Sequence, residues 1–154
     1  MPAQSASSSV PSWRGVLASI DIGSNSFRLE IGQTTRGRYR RIDYLKETVR
    51  LGAGLDAEGR LSEEAAQRGL VCLQRFRARL AGIPARQLRA VATQTLREAA
   101  NRDAFLARAA EALGHPVEVI SGREEARLIY KGVARLQPSM HPRLVIDIGG
   151  RSTE

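Results

Sequence analysis

A chain of 154 residues, 42% hydrophobic, 26% charged and 5% aromatic, has room for one ordinary domain and its core but not for two full-sized ones. Its 14 Gly and 6 Pro exclude a collagen-like or low-complexity chain, no apolar run approaches the roughly 20 residues of a membrane span, and the lone Cys72 excludes an intramolecular disulfide framework. The net charge of +8 is carried almost entirely by arginine, with Lys46 and Lys131 the only lysines; the guanidinium fork suits phosphate oxygens, so an anionic partner is a natural inference.

Residues 1–15 lack the apolar stretch of a secretory signal and read as a flexible tail, which makes the cytoplasm the expected compartment. Strands are expected at 16–21, 27–31 and 38–45, with a turn at 34–37, so the chain begins as a β-meander. A Gly-rich loop at 52–59 precedes Ser62, a natural N-cap with Glu63 and Glu64 in the first turn behind it. The helix that follows buries Ala66, Leu70, Leu73, Phe76 and Leu80, keeps Arg68, Arg75 and Arg79 off that stripe, and ends at Gly82 and Pro84.

A short buried strand is expected at 88–92. Helical character resumes at 95–100, and Asn101 recaps a helix through Phe105, Leu106, Ala109 and Leu113, stopped by Gly114 and Pro116. A strand at 117–120, a turn at Ser121 and Gly122, a helix over 124–136 and a last strand at 144–147 complete the pattern. Alternating strands and helices demand parallel pairing with right-handed crossovers. The fold class is therefore α/β, with a mixed five-stranded, ribonuclease-H-like sheet flanked by helices.

Two segments match each other: residues 20–26 (IDIGSNS) and 146–153 (IDIGGRST). Each runs an apolar strand into Asp, then a Gly-containing turn, then hydroxyl residues. A carboxylate at a strand end can hold hydrated Mg²⁺ or orient water. Glycine lets the backbone approach a phosphate closely, successive turn amides can form an anion-binding nest, and Ser and Thr add donors.

The paired turns resemble the two phosphate motifs of the acetate kinase, sugar kinase, Hsp70 and actin superfamily. Three further segments, RLGAGL at 50–55, ATQTLR at 92–97 and ISGREEARLIY at 120–130, resemble the exopolyphosphatase and guanosine pentaphosphate phosphohydrolase family. The likeness runs from about Leu17 to Glu154. It implies two actin-like domains closing over a cleft: a first over 16–122, then a hinge helix and the opening strand of a second over 123–154. On this reading the chain is an N-terminal fragment of a longer phosphatase, ending inside the second phosphate motif. It departs from the family at Arg151, where a third glycine is common.

The resemblance makes Glu125 the catalytic base, a carboxylate able to take a proton from water attacking a terminal phosphoryl group. By residue type alone, Glu124 and Glu125 equally suit an acidic first helical turn. Asp21, Asp147 and Glu154 become candidates for Mg²⁺ or water positioning. Gly23, Ser24, Asn25, Gly149, Ser152 and Thr153 would bind phosphate, joined by Arg97 and Thr93; a first-turn surface arginine is the other reading of Arg97.

Cys72 reads as a small core residue, and His115 and His141, each before proline, as turn residues. The basic run Arg36, Arg38, Arg40 and Arg41 is a solvated strand face or a guide for a polyanion. The expected activity is Mg²⁺-dependent removal of terminal phosphate from inorganic polyphosphate, with guanosine pentaphosphate as the close alternative substrate. An ATP-dependent kinase and a basic nucleic-acid-binding module are remoter readings. No nucleic-acid or integral membrane partner is expected, the fragment alone should be nearly inactive, and the parent leaves room for a homodimer formed through the part beyond Glu154.

Overall fold

Alternating apolar residues build the centre of the sheet. In the computed structural model, which describes residues 15–154, β1 (Val16–Ile22) turns Val16, Ala18, Ile20 and Ile22 to one buried face, and β2 (Ser26–Thr35) returns antiparallel with Phe27, Leu29 and Ile31 on the same side. The tail expected at 1–15 lies outside the described residues apart from Gly15. Arg36 and Gly37, both left-handed at φ 49 and φ 78, join β2 to β3 (Arg38–Thr48), the turn geometry that matches strand twist. Here the basic run is exposed. Arg41 reaches Glu30 at 3.3 Å and stacks over the Tyr44 ring.

The first long helix forms where the cap pattern places it. Ser62 Oγ accepts from the Ala65 amide at 3.3 Å, and α1 (Glu63–Arg79) runs from two glutamates to Arg77 and Arg79, charges that suit its dipole. Its buried stripe, with Leu70, Leu73 and Phe76, packs on the sheet beside α3 (Arg102–Leu113). Gly69 permits this approach: a Cβ there would stand 3.3 Å from both Phe105 and Phe27. Fully buried Phe27, Phe76, Leu29 and Leu73 each contribute about 1.5–3 kcal/mol by leaving water.

Two parallel strands extend the other edge. The sheet order is β3-β2-β1-β4-β5, with β4 (Leu88–Ala92) parallel to β1 and β5 (Glu118–Val119) parallel to β4. The short α2 (Gln94–Glu98) and α3 form the crossover between them. This is the mixed five-stranded, ribonuclease-H-like sheet expected of the sequence. α4 (Gly122–Leu136) follows, and among the described residues no helix is long and apolar enough to cross a membrane.

Three local expectations change. Ser121 and Gly122 are not a free turn: Ser121 caps α4, its Oγ accepting from the Glu124 amide at 3.1 Å. Asn101 occupies the cap position of α3, yet its side chain instead pairs with both backbone groups of Leu61, at 2.8 and 3.0 Å, tying the loop before α1 to α3. Residues 144–147 form no strand. An apolar, β-branched run completes a ladder only against a neighbour, and Leu144 and Ile146 stay exposed. The backbone instead turns tightly on itself, with Asp147 and Glu154 exchanging bonds of 2.8 and 3.0 Å.

Candidate functional site

The carboxyl ends of β1, β4 and β5 lie together, where antiparallel pairing gives way to parallel. That edge of an open α/β sheet is where ligand crevices form. The turn after β1 and the 147–154 hairpin meet there, and they are built alike. Gly23 N–H donates to Ser26 O at 3.2 Å, and Gly149 N–H donates to Ser152 O at 2.9 Å. Ile22 pairs with Phe27 and Ile148 with Thr153; one step out, Asp21 faces Arg28 and Asp147 faces Glu154. The sequence repeat is thus a structural repeat.

Between the turns lies a cleft of about 300 Å³. Asp21, Gly23, Ser24, Asn25 and Thr93 line it from the sheet side, Asp147, Gly149 and Ser152 from the hairpin, and Glu125 from α4. The two glycine turns touch: a Cβ on Gly150 would be 3.1 Å from Asn25 Cβ. Thr153 and Glu154 are not among the lining residues. Glu154 points instead to Arg97, its carboxylate 6% exposed and one oxygen buried without a hydrogen-bond partner.

Two sequence motifs, apart from Thr93, brace the first turn from outside the cleft. Asn25 O accepts from Val49 and Arg50 amides at 3.1 and 2.8 Å, and Ser24 O accepts from the Gly52 amide at 2.8 Å. Thr95 Oγ1, buried, donates to Ser24 Oγ at 2.8 Å. The RLGAGL and ATQTLR segments therefore hold the turn's shape from behind.

Arg97 is not a surface arginine. It is 18% exposed, its Nη1 donates to Glu125 at 2.8 Å and to Ile120 O at 2.9 Å, its Nε and Nη2 share the Gln94 amide oxygen, and Nη2 reaches Glu154 at 3.4 Å. It orients Glu125 toward the cleft. Burial pushes the Glu125 carboxyl up from its ordinary range; Arg97 opposes the shift, and the charges of Glu154 and Asp21 add to it. That direction suits a proton acceptor near neutral pH. Burial likewise raises Asp21, against its 2.9 Å contact with Arg28, and the Asp147 charge adds to the rise.

Arg28 and Lys46 also line the cleft, neighbours across β2 and β3, and sequence reasoning passed over both. The available signal was hairpin register: a tight turn at 23–25 sets Arg28 opposite Asp21. Among the described residues no group of three or more His, Cys, Asp or Glu is placed to hold a metal. Asp21 and Asp147, all-oxygen donors on one cleft, still suit Mg²⁺, which takes one or two carboxylates and keeps water and phosphate oxygens as its other ligands.

The chain has relatives. Residues 31–154 match the model of the Ppx/GppA phosphatase family. Among solved structures, an exopolyphosphatase from Cytophaga hutchinsonii is 34% identical with a TM-score of 0.83, over 90% of this chain and 45% of that one. The PPX-GPPA enzyme of Aquifex aeolicus is 35% identical with a TM-score of 0.81, over 90% of this chain and 46% of that one. An exopolyphosphatase-like protein matches at 35% identity and a TM-score of 0.82, with 43% of its length covered. The chain thus spans less than half the length of these solved chains. A family model covering most of the residues, with solved relatives at about 35% identity that share the fold, assigns the chain: it belongs to the Ppx/GppA phosphatase family.

Proposed function

We propose that the chain carries the phosphate turns and the proton acceptor of an exopolyphosphatase, which removes the terminal phosphate of inorganic polyphosphate. The observation that best supports this is the placing of Glu125, raised by burial and aimed by Arg97, on a cleft between two matched glycine turns. The turns around Gly23 and Gly149 receive the terminal phosphoryl oxygens on backbone amides and the hydroxyls of Ser24 and Ser152. Water attacks the terminal phosphorus in line. Its oxygen bonds to phosphorus as the bridging P–O bond breaks, and its proton passes to a Glu125 oxygen. The products are orthophosphate and a polyphosphate one unit shorter.

Arg28 and Lys46 place positive charge where the rest of a polyanion leaves the cleft. Asp21 and Asp147 would hold Mg²⁺, which when bound neutralises charge on the phosphoryl oxygens. The cytoplasm fits such a substrate and is part of this proposal.

Phosphate release by the full-length protein tests the reading, with polyphosphate and guanosine pentaphosphate compared at equal concentration. Glu125→Gln, nearly isosteric, should lower turnover on polyphosphate by about 10²–10⁴-fold. Near-normal turnover would place the base elsewhere. Release from guanosine pentaphosphate alone would replace the substrate by that of the other branch of the family.

A further inference from the structure

One charged side chain ties the 147–154 hairpin to the far side of the first turn. Arg151 Nη2 donates to Glu98 at 2.9 Å, and Nη1 donates to the Gly52 carbonyl at 3.4 Å. Its stem crosses the face of Gly52 so closely that a Cβ there would lie 2.5 Å from Arg151 Cδ. Gly52 is itself bonded to the first turn, through its amide and Ser24 O at 2.8 Å. One residue earlier, Gly150 abuts Asn25. Gly150 therefore stops the two turns from closing further, while Arg151 stops them from parting.

We propose that Arg151 is a positioning residue, whose clasp on Gly52 and Glu98 sets the gap between the two glycine turns. What that gap accommodates rests on the phosphate reading above. An isolated exposed ion pair contributes little, and Arg151 and Glu98 are each 40% exposed. The difference here is geometric. The stem lies in a slot that only glycine leaves open, and its anchor is bonded to the turn it positions.

The 154-residue chain tests this through amide hydrogen exchange at Gly149 and Glu154, both hydrogen-bonded inside the hairpin. Arg151→Gly and Glu98→Gln should each speed exchange by about two- to fivefold, the range open to an exposed ion pair, and the double variant should exchange no faster than Arg151→Gly alone. Arg151→Lys, which keeps the charge but not the fork, should fall in between. Tripolyphosphate affinity, read by titration calorimetry, should weaken in Glu98→Gln as well as in Arg151→Gly. Wild-type exchange in both single variants overturns the clasp. So does weakened affinity in Arg151→Gly with both readouts unchanged in Glu98→Gln, which makes Arg151 a direct anion ligand. Faster exchange in both variants, with no tripolyphosphate binding by the wild type, upholds the clasp and refutes the phosphate reading.

Discussion

Replacing Arg97 with methionine keeps the stem and removes the charge that reconciles two partly buried carboxylates. Glu125 is 15% exposed and Glu154 is 6% exposed, and both meet the Arg97 guanidinium. The substitution also strips the Gln94 amide oxygen and Ile120 O of their Arg97 donors. Removing one partner of a buried ion pair costs about 3–5 kcal/mol. Because the 147–154 hairpin can carry Glu154 into water, the lower end is expected: about 3 kcal/mol, or roughly 6–12 °C in Tm. The pH dependence has a definite sign. The Glu125 carboxyl lies above its ordinary 4.5 in the folded chain, and losing Arg97 raises it further. A group raised on folding binds its proton more tightly in the folded state. Its contribution is therefore fully present below 4.5 and lost as pH climbs through the raised value. The deficit of Arg97→Met against wild type should be largest near pH 7.5 and shrink toward pH 5. Urea unfolding at both pH values measures it, and Arg97→Met with Glu125→Gln should recover part of the loss. A deficit below about 1 kcal/mol at pH 7.5, or one that grows on acidification, would refute the account of this cluster.

The isolated 154-residue chain should bind polyphosphate weakly, lose affinity as salt rises, and release phosphate at under about a tenth of the full-length rate, since the reacting groups must be held together in a closed cleft. Equal turnover would show that the residues here suffice. Gly23→Ala sets a Cβ 2.9 Å from Ser26 O, the acceptor that closes the first turn, so tripolyphosphate affinity should fall about tenfold or more by calorimetry, from steric displacement of the turn. Burial pushes the Cys72 thiol up to about 12, so a thiol reagent such as Ellman's should label it at the unfolding rate and not before; rapid labelling of native protein would contradict its place in the core.

Much of this protein is written in local pattern. Apolar alternation in β1 and β2, the Ser62 cap with its acidic first turn, and the Gly-Pro stop after α3 each depend on neighbours a few residues away, so they are legible without a fold. So is the repeat around Asp21 and Asp147, because a glycine turn after a strand is a local device. The resemblance carried by the motifs marked Glu125, which composition alone left as an ordinary helical first turn. The tertiary structure decided everything that depends on distant partners. Asn101 abandons its cap for Leu61, forty residues away, because two buried backbone groups there require a partner. Residues 144–147 stay out of the sheet because, among the described residues, no strand pairs with them. Arg28 and Lys46 reach the cleft by cross-strand register, Glu154 turns from the aspartates to Arg97, and Arg151 finds Gly52 and Glu98. A side chain's type fixes which bonds it can make, but only the packed chain brings the partner within hydrogen-bonding reach at a workable angle.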